Sequence, residues 1–206
     1  MDAAHAGATR ADIMIAGVGG QGVILAASIV AETALLHGGL EVKESETHGM
    51  SQRGGSVQAQ IRIGDRVIAP TISPGEVDFL LAFEIAEGLR WAPSLADDGV
   101  AIVNTERMVP PIVATGTHSY PDDALERMDG QGYHLITVDA SALGEEAGSV
   151  KVAGVVLLGA LSNHLAFAQE TWRRAISSTV NPSWLQVNLA AFAAGQRAGA
   201  GAGDRR

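Results

Sequence analysis

Two short segments rich in glycine contain the residues of this chain whose types and spacing suit them to bind a ligand. In the first, GVGGQG, the residues Gly17, Gly19 and Gly22 satisfy the pattern G-x-G-x-x-G. Glycine allows a tight turn and lets peptide N–H groups approach an anion without interference from a Cβ atom. A helix that begins after such a loop adds unpaired N–H donors and about half a positive charge. We therefore expect this loop to bind phosphate, pyrophosphate or carboxylate.

The predicted cofactor contacts of this first loop are its glycines and its amide side chain: Gly17, Gly19, Gly20, Gln21 and Gly22. The Gln21 side chain is expected either to hydrogen-bond the ligand or to cap the following helix. Two alternatives stay open. The glycines could serve only to pack a helix on a strand, or the loop could bind NAD, with an acid at the end of the second strand holding the ribose hydroxyls. Glu44 and Glu46 are near enough in sequence for that role, or both are simply solvated.

The second segment, HGMSQRGG, places several polar side chains between glycines. Its guanidinium is a rigid fork that can bind a carboxylate or a phosphate through two hydrogen bonds. The segment follows a predicted strand, where α/β folds place their ligands, although a surface turn with a solvated arginine would have the same composition. The candidate contacts to a substrate or to coenzyme A are His48, Ser51, Gln52, Arg53 and Gly54.

Several enzyme classes are excluded by spacing. The chain has no G-K-[ST] sequence, so it has no P-loop. Neither Tyr120 nor Tyr133 has a lysine four residues later, and Ser51 does not lie in a G-x-S-x-G elbow. The 6 histidines are scattered and there is no cysteine, so no metal ligands and no thiolate nucleophile are predicted. No residue of the chain is assigned a catalytic role.

Composition limits the partners of the chain. Its 206 residues carry a formal net charge of −9 with no basic run, so no nucleic-acid partner is expected. The longest apolar run, 152–161, is far shorter than the ~20 residues that a membrane span needs, so no membrane association is expected. The first residues do not resemble a secretion signal, and a cytoplasmic location is predicted.

The pattern of apolar residues predicts strands that alternate with helices. The first strand covers 12–16 and the first helix 23–36. A strand at 40–44 is expected to pair in parallel with the first strand. An alternating strand over 57–63 is expected to continue through Gly64-Asp65 into a hairpin strand at 66–69. The later strands are predicted at 78–83, 99–104 and 134–138, with a helix over 84–95.

Further helices are predicted at 151–168, 169–180 and 183–194. The expected fold is a single Rossmann-like, doubly wound α/β domain with a mixed, mainly parallel sheet and C-terminal helices. This domain is predicted to occupy residues 12–194. A flexible N-terminus at 1–11 and a disordered Gly/Ala/Arg tail at 195–206 are expected to flank it.

Three ordered segments resemble the gamma subunits or domains of the 2-oxoacid:ferredoxin oxidoreductases. They are GVGGQGV, ETHGMSQRGGSVQAQIRIGD and IAPTISPGEVDFLLAFEIAEGLR, and the resemblance continues weakly through VVLLGAL. The SQRGG form is closer to the indolepyruvate branch than to the pyruvate branch of this family. One departure is Gly154, where the family pattern N-x-x-L-L-G would have asparagine.

This resemblance implies an accessory subunit that is inactive alone. In the family a large (alpha) subunit binds thiamine diphosphate, Mg²⁺ and iron–sulfur clusters, while the gamma-type domain packs over the active site and helps to enclose coenzyme A. The implied reaction is the oxidative decarboxylation of indolepyruvate or another arylpyruvate to an acyl-CoA, with ferredoxin as electron acceptor. The alternatives are a stand-alone NAD(P)-dependent oxidoreductase and a nucleotide-sensing domain.

Overall fold

The structure is a computed structural model that describes residues 8–48, 55–109 and 119–202. Within these residues six strands form one sheet, in the order β2-β3-β1-β4-β5-β6. The strands are β1 (Ala11–Val18), β2 (Glu41–His48), β3 (Ser56–Gly64), β4 (Val77–Ala82), β5 (Leu95–Asn104) and β6 (His134–Val138). The helices are α1 (Val23–His37), α2 (Ile85–Trp91), α3 (Ala124–Gly130), α4 (Ala140–Ala147), α5 (Ala153–Leu161), α6 (Gln169–Thr179) and α7 (Leu185–Ala202).

The sheet is mixed and mainly parallel, as predicted. β1, β4, β5 and β6 pair in parallel in that order. β3 is antiparallel to both of its neighbours, β1 and β2, and is the one strand of the described sheet that runs in the opposite direction. Helices cover both faces: α2 and α3 pack on one face, and α1 and α4–α7 lie over the other. The predicted doubly wound α/β architecture is therefore confirmed.

The expected parallel pairing of β2 with β1 is wrong. β3 lies between the two strands and is antiparallel to both, with Val18 opposite Ser56 on one side and His48 opposite Val57 on the other. The connection 49–55 between β2 and β3 is too short for a parallel crossover, so β3 must return antiparallel to β2. Buried side chains of β3, such as Ile61, then complete the core beside β1.

The predicted hairpin strand at 66–69 is also wrong, because these residues form an irregular segment. Ile68 in this segment is 82% exposed, so its side chain offers no buried face to a sheet. The segment is held instead by the Val67 N–H, which donates to Glu41 Oε2 at 2.7 Å, and by Lys43 Nζ, which donates to the Ile68 carbonyl at 3.0 Å.

Some predicted helices have different bounds, and two helices were not predicted. The helix expected over 84–95 is α2 followed by a 3-10 turn at Ala92–Ser94, and β5 begins directly afterwards. The helix expected over 151–168 is a 3-10 turn at Val150–Val152 followed by α5. After α5 the chain leaves the helix to pair Leu165 with Ala8. Neither α3 nor α4 was predicted from the sequence.

The predicted tail at 195–206 is helical as far as Ala202, and residues 203–206 lie outside the described part of the chain. The physical reason is a close crossing of α7 and α5 through glycines. A Cβ atom on Gly159 would overlap the Phe192 carbonyl oxygen, and one on Gly195 would overlap that of Val156. The glycines that suggested disorder therefore allow one helix backbone to approach the other.

None of the described helices combines the length and the apolar character needed to cross a bilayer.

The crossing predicts that Gly195→Ala lowers the free energy of unfolding by about 1–3 kcal/mol, because the added methyl group overpacks the contact with α5. Gly201→Ala is a matched control in the same helix, since a Cβ atom there meets no atom within 4 Å. This control is expected to leave stability unchanged or slightly raised. Urea unfolding of both variants measures the difference, and equal stabilities would show that residue 195 does not pack as described.

Candidate functional site

A pocket of about 160 Å³ opens at the carboxyl ends of β1, β4 and β5, between the beginnings of α1 and α5. This edge of an open α/β sheet, where successive connections diverge, is the usual place for a ligand. Its lining residues come from four separate parts of the chain: Gly20, Gln21, Phe83, Asn104, Glu106, Met108, Val150, Lys151, Ala153, Gly154 and Leu157.

The first glycine loop forms one wall of this pocket and needs its glycines for different reasons. At Gly17 a Cβ atom would lie 2.9 Å from both the Phe83 Cβ and a Val23 methyl carbon, so this position allows the helix to pack closely on the strands. Gly20 and Gly22 have φ angles of 105° and 88°, which favour glycine. Two of the loop amides are already used, because Gly19 N donates to Gly55 O and Gln21 N donates to Val18 O.

The Gln21 side chain bridges elements instead of capping α1, which has no side-chain cap. Its Oε1 accepts from Val18 N at 2.7 Å, and its Nε2 donates to the Phe83 carbonyl at 3.2 Å. The same Nε2 lies 3.5 Å from Glu106 Oε2. Gln21 thus connects the end of β1 to the end of β4 and to a carboxylate in the pocket wall.

A second set of polar residues, in and beside the pocket, was not predicted from the sequence. Asn104, at the end of β5, is 1% exposed, and its Oδ1 accepts from Ala140 N at 3.0 Å. Its Nδ2 donates to Phe83 O, to Ser141 Oγ and to Glu106 Oε2 at 3.1–3.3 Å. Ser141 Oγ donates to the same Glu106 oxygen at 2.9 Å. The only available signal was that Asn104 ends a predicted buried strand.

Glu84 anchors the segment that follows β5. It is 1% exposed and begins α2, where its Oε2 accepts from Glu87 N at 3.0 Å. Its Oε1 accepts from Met108 N at 3.2 Å and from the Tyr120 hydroxyl group. Burial raises the pKa of Glu84, and the backbone N–H donors, among them those of Met108 and Glu87, offset part of this rise. Sequence analysis assigned it no role.

The second glycine segment lies mostly outside the described residues. Ser51, Gln52, Arg53 and Gly54 fall in the range 49–54, and His48 ends β2 without a described side chain. The far end of the segment is described. Gly55 O accepts from Gly19 N at 2.8 Å, and Ser56 Oγ donates to Glu87 Oε2 at 2.6 Å. The second segment therefore returns to the sheet directly beside the first glycine loop.

Neither Glu44 nor Glu46 lies where an acid would hold the ribose hydroxyls of NAD. Glu44 and Glu46 lie on β2, opposite Ile61 and Ala59 of β3, so a whole strand separates them from β1. At about 4.8 Å per strand spacing, their backbone lies roughly 10 Å from β1. In an NAD-binding domain the ribose-binding acid lies on the strand next to the one that precedes the glycine loop. This geometry therefore does not support the NAD alternative.

Comparison with known proteins settles the family. The model of the family described as "Pyruvate ferredoxin/flavodoxin oxidoreductase" matches residues 12–198. The chain is 40% identical over 190 residues to the indolepyruvate oxidoreductase subunit IorB of Archaeoglobus fulgidus, covering 90% of this chain and 94% of the relative. This chain belongs to the pyruvate ferredoxin/flavodoxin oxidoreductase family.

Solved structures agree with this membership. The gamma subunit of a keto/oxoacid ferredoxin oxidoreductase from Geobacter sulfurreducens superposes with a TM-score of 0.71 at 25% identity, covering 94% of this chain and 100% of that one. The 2-oxoglutarate:ferredoxin oxidoreductase from Magnetococcus marinus, solved with 2-oxoglutarate, coenzyme A and succinyl-CoA bound, superposes with a TM-score of 0.70 at 21% identity. That likeness covers 93% of this chain but 31% of the other, and it concerns the fold.

The structure explains why residue 154 is glycine in this chain. A Cβ atom at this position would lie 2.6 Å from Phe83 Cε2 and 2.8 Å from Phe83 Cζ. The Phe83 ring therefore occupies the space that an asparagine side chain would enter.

The buried Glu84 predicts a specific pH dependence. Because its pKa is raised in the folded protein above the ordinary value of 4.5, the folded state binds this proton more tightly than the unfolded state. Its contribution to stability is therefore greatest below that value and declines as the pH rises through the folded pKa. We expect Glu84→Gln to remove this decline, so that the difference in free energy of unfolding, wild type minus variant, decreases as the pH rises above 4.5.

Urea unfolding at several pH values measures this difference, in which the titration of carboxylates that do not interact with Glu84 cancels. Glu126→Gln, on an exposed position of α3, is the matched control and is expected to show the wild-type pH dependence. If the free energies of unfolding of Glu84→Gln and of the wild type change equally with pH over this range, the raised pKa of Glu84 is contradicted.

Proposed function

We propose that this chain is the gamma-type accessory subunit of a 2-oxoacid:ferredoxin oxidoreductase and that its two glycine segments face coenzyme A or the substrate carboxylate. The reaction of the complex is the oxidative decarboxylation of a 2-oxoacid to an acyl-CoA and CO₂, with two electrons passing to ferredoxin. The partners are the large (alpha) subunit and, through the complex, ferredoxin.

The observation that carries this proposal is the contact between the two glycine segments. The hydrogen bond from Gly19 N to Gly55 O joins the predicted anion-binding loop 17–22 to the residue that directly follows 48–54 in the chain. Backbone N–H groups, the beginning of α1 and the Arg53 guanidinium would then act on one ligand. Coenzyme A carries phosphates and the 2-oxoacid carries a carboxylate, so both offer the required negative charge.

The reactive cofactors do not fit this chain. It has no cysteine to bind an iron–sulfur cluster, and within the described residues no group of three His, Cys, Asp or Glu could hold a metal ion. We therefore assign thiamine diphosphate, Mg²⁺ and the clusters to the large subunit, where they would supply decarboxylation and electron transfer. The residues of this chain bind and orient coenzyme A or substrate and exclude water from the shared site.

Indolepyruvate or a related arylpyruvate is the proposed substrate. The support is the 40% identity to an archaeal indolepyruvate oxidoreductase subunit over 190 residues, together with the SQRGG sequence of the second segment. A site shared with a larger subunit that holds iron–sulfur clusters also agrees with a cytoplasmic location, which we propose for the complex.

Reconstitution tests the proposal. The purified chain alone is expected to catalyse no 2-oxoacid-dependent reduction of viologen, and addition of its large subunit is expected to restore it. In that complex, Arg53→Ala is expected to raise the KM for coenzyme A or the 2-oxoacid by about tenfold or more, because it removes a charge-assisted contact of ~1.5–3 kcal/mol.

Arg173→Ala, on the exposed surface of α6, is the matched loss of one positive charge and is expected to leave both KM values unchanged. NAD(P)H-dependent turnover by the chain alone would refute the subunit assignment. Equal kinetics of the Arg53 and Arg173 variants would remove Arg53 from the proposed ligand contacts.

A further inference from the structure

Three hydrogen-bond donors, two of them on residues that line the pocket, converge on one oxygen of Glu106. Gln21 Nε2, Asn104 Nδ2 and Ser141 Oγ lie 3.5, 3.3 and 2.9 Å from Glu106 Oε2. An ionised carboxylate only accepts hydrogen bonds, and its two oxygens offer about four acceptor positions. Oε2 therefore faces hydrogen-bond donors of the protein itself. Among the described residues, none donates a hydrogen bond to Glu106 Oε1.

The carboxylate is held in a fixed orientation because two of its donors are themselves held. The Oδ1 of the buried Asn104 accepts from Ala140 N at 3.0 Å, and the Oε1 of Gln21 accepts from Val18 N at 2.7 Å. Both side chains are thus tied to backbone at neighbouring strand ends. Glu106 lines the pocket with Oε2 facing these donors, which leaves Oε1 as the oxygen available to a ligand. An acceptor held in this way loses little conformational entropy on binding.

The charge of Glu106 restricts the chemistry of that ligand group. No Lys, Arg or His of the described chain lies within 4.0 Å of its carboxylate as an ion-pair partner. A second anion placed against Glu106 would be repelled, whereas a hydroxyl or amide N–H group would make a charge-assisted hydrogen bond. The anionic part of a ligand is then better placed towards the glycine loop and Lys151, which lie on other walls of the pocket.

We propose that Glu106 is a specificity-determining residue that accepts a hydrogen bond from a hydroxyl or amide N–H group of the ligand, positioned by Gln21, Asn104 and Ser141. This inference rests on the part of the proposed function in which this chain binds coenzyme A. A pocket of about 160 Å³ holds only a fragment of so large a molecule. Coenzyme A offers suitable donors in two places: the amides and hydroxyl of its pantetheine arm, and the amino and ribose hydroxyl groups of its nucleotide.

The test uses the complex of this chain with its large subunit, titrated calorimetrically with coenzyme A, pantetheine and adenosine 3′,5′-bisphosphate. In Glu106→Gln the amide oxygen is expected to take the three protein donors, so that the NH₂ group replaces the acceptor in the pocket. The Kd for the fragment that binds there, and for coenzyme A, is expected to rise about tenfold or more. The Kd for the other fragment is expected to stay unchanged.

Two further variants make the result specific. Ser141→Ala removes one positioning donor and retains the acceptor, so it is expected to weaken the same fragment by a smaller factor. Glu126→Gln makes the same chemical change on the exposed surface of α3 and is expected to change no Kd. If Glu106→Gln binds pantetheine more weakly than the wild type does, the pocket holds the pantetheine arm of coenzyme A. If it binds the bisphosphate more weakly, the pocket holds the nucleotide.

Two outcomes overturn the inference in different ways. If the wild-type complex binds coenzyme A and Glu106→Gln binds all three probes equally well, the role of Glu106 is refuted and the proposed function stands. If the wild-type complex binds none of the three probes, the coenzyme A part of the proposed function fails, and the inference about Glu106 fails with it.

Discussion

The antiparallel pairing of β3 with β1 is the constraint on which the candidate site depends. It places Ser56 opposite Val18 and forms the hydrogen bond between Gly19 and Gly55, so two segments that are distant in sequence end at one edge of the sheet. Side-chain bonds strengthen this arrangement, because Ser56 is tied to Glu87 at the beginning of α2. Without this reversed strand, the glycine loop and the segment that ends at Gly55 would not meet at the same edge of the sheet.

The pocket combines features that favour different parts of one ligand. The glycine loop and the beginning of α1 favour negative charge, whereas the fixed carboxylate of Glu106 favours a hydrogen-bond donor. A ligand that carries both phosphates and neutral amide or hydroxyl groups suits such a site better than a simple anion does. Glu84 fixes the segment that carries Glu106, because its carboxylate accepts hydrogen bonds from Met108 N and from the Tyr120 hydroxyl group.

The local parts of this structure could be predicted from sequence, and the non-local parts could not. The G-x-G-x-x-G spacing, the strand before it and the helix from Val23 depend on neighbouring residues, and all three are present. The insertion of β3 beside β1 depends on pairing between distant segments, which periodicity does not encode. The Glu106 cluster joins residues from four elements or loops, and the Gly195 contact depends on a helix that packs from elsewhere in the chain.

Hydrogen–deuterium exchange of the reconstituted complex, with and without coenzyme A, tests most directly whether the two glycine segments form one binding surface. We predict slower amide exchange on addition of coenzyme A in peptides that cover 17–25, 48–57 and 104–109, and no change over α6. Protection confined to other parts of the chain, or to the large subunit alone, would contradict it.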